Sequence, residues 1–447
     1  MKRRLFLQSG SATSVALALT ACGGGGGGGT VDTAGSAGTA AASTNTSTAS
    51  TIASSTTRSA VSGPNSYPFG ARLDAYVAGI MPNNVSNSSM DDSIRRAYDS
   101  WKGNIVDVPS VSGGKALRFA NNYLTVSEAA GYAMLITVLM AGHDSNARST
   151  FDALLKTVRA RPAYSIPGVG QYLMDWRLEA DGSSSGAAGG GWNAMDGDLD
   201  IAMALLMADR QWGSTGTWNY KQEGINTINA MKTWNMKSDG TTKGLPSPET
   251  SRTSDYMISH FRAFAKATGD TFWSTSAIDR AYELIDRMQT QFSPNAGMMP
   301  DFIVNSGSNP VPSPGGMGDG TATEMHYFVN AQRNPWRWGT DYVTSGDVRW
   351  KNVCDKMMNF FKADTGGDPA RTATGYRLDG SALDRPSGWQ PKGMIGPQLC
   401  GAMVSSSHQD YLNALWSYNA NNFSTTYYDG ELQLLPMIVA SGNWWQP

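Results

Sequence analysis

The chain has 447 residues, 35 basic against 37 acidic for a formal net charge of −2, with 40% hydrophobic and only 16% charged residues. So even a balance gives no field for holding a nucleic-acid backbone, and no nucleic-acid partner is expected. Its 3 cysteines (Cys22, Cys354, Cys400) and 4 histidines lack the close pairing that builds zinc or iron–sulfur sites, so no metal and no cofactor is expected.

Met1-Lys2-Arg3-Arg4-Leu5-Phe6-Leu7 sets paired arginines ahead of a small-residue apolar stretch from Ala12 to Ala21, the pattern of an export signal of the twin-arginine kind. Leu19-Thr20-Ala21-Cys22 is similar to a bacterial lipobox, in which Cys22 would carry lipid and become the mature N-terminus. An unbroken glycine run, Gly23 to Gly29, and then residues 30–63, almost entirely Ala, Ser, Thr and Gly, read as a flexible tether. Only Phe6 among the aromatic residues precedes Tyr67, so residues 1–66 hold no core material. The expected division is 1–22 export signal with lipobox, 23–66 linker, and 67–447 one folded domain. No later stretch approaches the ~20 apolar residues of a membrane span. The expectation is therefore an exported monomer, held at the cell envelope by its N-terminal lipid or secreted, with Cys354 and Cys400 as an even pair able to bond in an oxidising compartment.

From Tyr67 onward apolar residues recur at helical spacing, broken by Gly, Pro, Asn and Asp clusters. Helices are predicted near 89–102, 126–141, 145–159, 197–211, 221–235, 254–268, 275–292, 347–362, 392–404, 408–418 and 427–441, with one or two more between. Ser127, Ser254, Ser276 and Ser407 stand where N-caps would. An all-α toroid of paired helices with a site at one rim is expected; a helical repeat array is the alternative, without a sequence period to mark it.

The densest chemistry lies in Ala194 to Trp212. Ile201, Leu205, Ala208 and Trp212 recur at four- and three-residue steps and should face a core, while Asp196, Asp198 and Asp200 crowd the helix start. The helix dipole accounts for one or two of these as plain capping residues but not readily for all three. Asp196, on the loop side, suits hydrogen-bonding to sugar hydroxyls near Trp176 and Trp192. Glu128, flanked by Val126, Ala129, Ala130 and Tyr132, is either a first-turn capping glutamate or a carboxylic acid kept protonated by apolar surroundings.

Ala194 to Trp212 closely resembles the signature segment of glycoside hydrolase family 8, departing at Met195, where the family usually has Ser or Thr. Thr125-Val-Ser-Glu-Ala-Ala-Gly-Tyr-Ala-Met134 resembles the family's general-acid segment, with Glu128 at the acid position and Ala129-Ala130 in place of the usual Gly-Gln. Ser254-Asp-Tyr256 ahead of His260-Phe-Arg-Ala-Phe264 is similar to the segment bearing a tyrosine that contacts the reacting sugar. Arg333-Asn-Pro-Trp-Arg337 with Gly339-Thr-Asp-Tyr342 resembles the late motif block. The resemblance implies an (α/α)6 barrel and an inverting endo-hydrolase of β-1,4-linked polysaccharide, without cofactor. It further implies Glu128 as the acid, Asp196 as the ligand of the distorted sugar, and Tyr256 near the anomeric centre or the attacking water. Asn330, Arg333 and Arg337 are then candidate substrate contacts.

The general base departs from the common pattern. Where many members carry an aspartate, this chain has Asn330, and an amide cannot accept the proton. A subgroup that includes chitosanases and some β-glucanases shares that asparagine and takes its base from the preceding loop. Here that loop is Pro314-Gly-Gly-Met-Gly-Asp-Gly-Thr-Ala-Thr-Glu324, which offers Asp319 and Glu324. Asp319, set among glycines, is preferred. The polymer could be chitosan, mixed-linkage or cellulosic β-glucan, or xylan, and Asn330 tilts the expectation toward the first two and away from the commonest cellulases; a glycan-binding protein that no longer hydrolyses is the reading from another class. Trp176, Trp192, Tyr256, Trp336 and Trp389 are candidate platforms for flat sugar faces, each with core packing as its alternative.

Overall fold

The structure, a computed structural model, describes residues 65–447 apart from 121, 186–189 and 245–248. The expected export signal, Cys22 and residues 23–64 of the expected linker lie outside the described residues. Asn65 and Ser66 already belong to the folded body: the Asn65 side chain accepts from Trp212 Nε1 at 2.8 Å, and the Ser66 amide donates to the Gln211 carbonyl at 3.2 Å.

The helices are α1 (Asn87–Trp101), α2 (Ser127–Leu139), α3 (Ala147–Ala160), α4 (Met195–Trp212), α5 (Tyr220–Asn235), α6 (Ile258–Thr268), α7 (Ile278–Arg287), α8 (Asn334–Ser345), α9 (Val348–Thr365), α10 (Lys392–Ile395), α11 (Gln398–Ala402), α12 (Gln409–Asn421) and α13 (Asp429–Ala440). Their hydrophobic patterns sort them. α2 and α13 are mostly apolar and buried along their length apart from Glu128 and Asp429, while α4 is buried from Met195 to Ala208. Such helices must lie inside. α1, α3 and α7 bury one stripe only.

Packing closes the inner set on itself: α2 lies against α4, α4 against α6, α6 against α8, α8 against α11, α11 against α13, and α13 returns to α2. Outside them α1 packs on α13, α3 on α2, α5 on α4, α9 on α8 and α12 on α11, and the turn Trp273–Ala277 that leads into α7 packs on α6. This is the double ring of paired helices that defines an (α/α)6 barrel. Short antiparallel strands edge it: β1 (Ile105–Asp107) with β2 (Lys115–Leu117), β3 (Tyr123–Val126) with β4 (Arg177–Glu179), and β5 (Ser251–Arg252), β6 (Phe302–Val304) and β7 (Val311–Pro312) in one sheet. β3 runs straight into α2, so its extended end at Val126 fixes where that helix begins.

Several element expectations shift. The helix predicted over 254–268 starts only at Ile258, because Thr253–Asp255 forms a separate 3₁₀ turn. The helix predicted over 392–404 is two pieces around Gly396, where a Cβ would run into the Leu432 carbonyl of α13. α8 carries Pro335 in its first turn, where the missing amide proton costs nothing. The serine caps are also revised. Ser127 opens α2 after the N-cap Val126, Ser276 lies within the π-type turn Trp273–Ala277, and Ser407 lies in a 3₁₀ turn that Ser405 caps. Cys354 and Cys400 are buried free thiols. Among the described residues no helix is long and apolar enough to cross a membrane.

Candidate active site

The starts of the inner helices supply the chemistry. Glu128 is the second residue of α2 and Asp196 the second of α4; Ser254 precedes α6, Arg333 precedes α8 and Tyr427 precedes α13. Gly131 lets α2 and α4 approach closely enough that a Cβ there would lie 2.6 Å from Asp200 Cβ.

Arg333, fully buried, ties these groups together. Its Nη1 donates to Glu128 Oε1 and, at 2.8 Å, to Asp196 Oδ2. Its Nη2 donates to Ser254 Oγ at 2.7 Å and to Asn330 Oδ1 at 2.9 Å. Glu128 also accepts from the Tyr132 hydroxyl at 2.9 Å and from the Tyr427 hydroxyl at 2.5 Å. Burial pushes the Glu128 carboxyl up and the Asp196 charge adds to the rise, outweighing the opposing pull of Arg333 and the two tyrosines. Asp196 behaves in the opposite way. Burial works to raise it, but Arg252 and Arg333, with the Gly197 amide at 3.0 Å, hold it down at about 2. Two carboxyl groups joined by one guanidinium are thus pushed in opposite directions, Glu128 up from the usual carboxylate range and Asp196 down from it.

The other aspartates of α4 turn elsewhere. Asp198 accepts from the Met174 amide at 3.0 Å and from Asn193 Nδ2 at 2.8 Å, and burial raises it to about 7. Asp200 takes a bidentate pair from Arg337 at 2.7 and 2.6 Å and also bonds His260 Nε2 at 2.8 Å. Arg337 is therefore a buried partner of Asp200 rather than a substrate contact. Trp336 is buried as well, with the Arg337 guanidinium 3.7 Å from its ring centre, so it presents no face to a sugar. Tyr256 is likewise enclosed: its hydroxyl pairs with Ser251 Oγ at 2.7 Å and accepts from the Thr242 amide at 3.4 Å, which turns it from the Glu128 cluster into the core.

In the loop before Asn330 the two acidic candidates separate. Glu324 is buried, and its carboxylate accepts from Ser313 Oγ at 2.6 Å, from the amides of Met317 and Gly320 at 2.9 Å each, and from the Gly318 amide. Despite burial, these donors draw its pKa below the usual carboxylate range. Glu324 is the knot of the loop. Asp319 is exposed; its Oδ1 accepts from Thr321, and its Oδ2 accepts from Asn330 Nδ2 at 3.2 Å. Asn330 also donates to Asp301 Oδ2 at 3.3 Å, and Asp301 Oδ1 accepts the amides of Phe328, Asn330 and Ala331. Asn330 thus links the loop acid on one side to Arg333 on the other.

Of the candidate platforms, Trp192 is 38% exposed and stacks on Trp234, with ring centres 5.9 Å apart; Trp389 is 46% exposed. Trp176 is half-buried, with the Arg177 guanidinium 4.9 Å from its ring centre. The sequence gives no site role to Tyr427, Arg252, Asp255 or Asp301, and Tyr132 stands in it only as part of the apolar flank of Glu128. Tyr132, one helical turn after Glu128, carried a signal in its spacing. Tyr427 reaches Glu128 across 299 positions, a distance at which no local pattern speaks. Among the described residues, no group of three or more His, Cys, Asp or Glu could hold a metal ion.

With this geometry in view, the family model for glycosyl hydrolases family 8 matches residues 81–442. The chain belongs to glycoside hydrolase family 8. It is similar to a beta-glucanase of Niallia circulans, 37% identical over 86% of this chain and 93% of that protein. It is also similar to an endoglucanase of Bacillus sp. strain KSM-330, 34% identical over 89% of this chain and 85% of that one. Among solved structures, the apo beta-1,3-1,4-glucanase from Paenibacillus sp. X4 superposes with a TM-score of 0.79 at 36% identity, covering 86% of this chain and all of that one. Rex8A from Paenibacillus barcinonensis, at 18% identity and a TM-score of 0.66, shares the fold. The family 8 chain described here is a glycoside hydrolase.

Proposed function

We propose that this enzyme is an endo-acting, inverting hydrolase of β-1,4-linked glucan, mixed-linkage β-glucan included, with Glu128 as general acid and Asp319 as general base. The observation that carries the reading is the shared guanidinium of Arg333, which binds Glu128 and Asp196 while their surroundings push the two carboxyls in opposite directions. Glu128 gives its proton to the glycosidic oxygen; the carboxylate left behind is then met by Arg333, Tyr132 and Tyr427. Asp196 stays charged and orients sugar hydroxyls. Asp319 draws a proton from water, held in place by Asn330, and Glu324 is too fully occupied for that task. This arrangement supports membership in the asparagine-bearing subgroup.

Charge favours glucan over chitosan. A polycation needs unpaired carboxylates, whereas Asp196 is already met by Arg252 and Arg333, Arg177 lies against Trp176, and Lys243 stands 5.9 Å from the Trp234 ring. The named β-glucanase relatives support the same choice. The test is a panel digestion of lichenan, carboxymethyl-cellulose, chitosan and xylan, with the anomer of each first product read by NMR. New reducing ends of α configuration on the glucans are expected. Cleavage of chitosan alone, or no cleavage of any polymer, would overturn the reading.

We also propose, from Arg3-Arg4 and Leu19 to Cys22, that the chain is exported and lipid-anchored at Cys22, with residues 23–64 as a tether to a catalytic domain over 65–447. Cys22→Ser should release it from membranes at unchanged catalytic rate; unaltered membrane fractionation would rule the anchor out.

A further inference from the structure

Five ionisable side chains form one string: Glu128, Arg333, Asp196, Arg252 and Asp255. Arg333 bridges the first and third, and Arg252 Nη1 donates to Asp196 Oδ2. At the end stands Asp255, 1% exposed, with neither carboxyl oxygen hydrogen-bonded. Its nearest cation, Arg252 Nε, is 3.5 Å away and itself lacks a hydrogen-bond partner. A buried carboxyl left in this state is costly, and it calls for an explanation in the site it faces.

Charge counting supplies one. Three carboxyl groups share two guanidinium groups, so the string is neutral when one carboxyl carries a proton. Asp196, gripped by both arginines, never holds that proton near neutral pH. It rests on Glu128 or on Asp255. The charged groups facing Asp255 are Arg252, Asp196, Arg333 and Glu128, and among them burial raises its carboxyl to about 6. With both Glu128 and Asp255 protonated the string would bear one positive charge. Once Asp255 gives its proton to solvent, its negative charge joins burial and Asp196 in pushing the Glu128 carboxyl up, and the string with its remaining proton on Glu128 is neutral.

We propose that Asp255 is the positioning residue that sets the working pH range of this hydrolase, its negative charge holding the proton on Glu128. The inference rests on Glu128 being the proton donor. With Asp255 made neutral, the string carries one positive charge while Glu128 is protonated, so Glu128 ionises more readily. The alkaline limb of activity then moves to lower pH.

The experiment is the pH dependence of kcat/KM on lichenan for wild type, Asp255→Asn and Asp255→Ser, with Glu128→Gln alongside and thermal melts of all four. Both Asp255 variants should shift the alkaline limb acidward by ~1 pH unit, with the acid limb and KM nearly unchanged. The serine variant checks that charge, not shape, is responsible. Superimposable limbs, or a loss equal at every pH, would overturn the proposal, as would failure of both variants to fold, which would make Asp255 purely structural. Glu128→Gln separates the two readings. An active Glu128→Gln removes the donor assignment and the Asp255 proposal with it, whereas an inactive one beside unshifted Asp255 variants removes only the latter.

Discussion

Gly197 of α4 faces Ser127 of α2 so closely that a Cβ on the glycine would lie 2.5 Å from the Ser127 hydroxyl and 2.7 Å from the Glu128 amide nitrogen. Glu128 and Asp196 are neighbours because a residue without a side chain stands between their helices. Gly197→Ala should force α2 and α4 apart at the end where one guanidinium must span both carboxylates. A loss of roughly 100-fold in kcat is expected, since small misplacements at a reacting centre are that costly, together with a lower melting temperature. Near-normal kcat in the variant would show that the close approach is not needed.

Glu128→Gln keeps the shape of the side chain and removes its proton. The expected loss is on the order of 10²–10⁴ in kcat, with oligosaccharide binding retained because Asp196 and Arg333 remain paired. Activity on lichenan within a few-fold of wild type would remove Glu128 from the mechanism.

Asp319→Asn and Glu324→Gln should differ in kind. Asp319→Asn should abolish turnover while leaving affinity nearly intact, and azide should partly restore it on an activated glycosyl fluoride, since azide needs no deprotonation. Glu324→Gln puts an amide donor against the backbone amides of Met317, Gly318 and Gly320. It should loosen the loop and lower activity in part, with no response to azide. Azide rescue of the Glu324 variant instead would exchange the two roles.

Glu431 of α13 makes a prediction about stability. It is buried; one oxygen accepts from Trp101 Nε1 at 2.6 Å, the other has no partner, and burial raises its pKa to about 8. The folded protein therefore keeps a proton that the unfolded chain releases from about pH 4.5 upward. Stability from this group falls as pH rises from there to about 8, by at most ~1.4 kcal/mol per pH unit. Glu431→Gln retains the acceptor for Trp101 and does not titrate. Its melting temperature should decline less than that of wild type between pH 5 and pH 8, and it should be the more stable form at pH 8. Parallel declines would contradict this.

Trp192 is the exposed face of a stacked pair, and Trp192→Ala should raise KM by roughly 2- to 12-fold, the worth of one ring contact, at similar kcat. An unchanged KM would show that the sugar does not lie there.

What the sequence determined by itself was whatever repeats locally. Helical spacing announced the helices over α2, α4 and α13 and the core-facing stripe Ile201, Leu205 and Ala208 of α4. The motifs around Glu128, Asp196 and Arg333 announced the family. Asp196, Asp198 and Asp200, read together as one acidic cluster, illustrate where local reading stops. Asp198 lies about 200° around the helix from each of the others and meets the Met174–Asn193 loop, whereas Asp196 and Asp200 share a face one turn apart and meet Arg333 and Arg337, themselves four residues apart. Tyr256 and Trp336 share motifs with groups at the site, yet their rings turn into the core, an outcome of packing rather than of spacing. The choice between Asp319 and Glu324 likewise depended on which carboxylate the glycine loop folds around. Only the closed ring, which brings helix starts from residues 128 to 427 together, decided which ionisable groups meet around Arg333 and Glu128.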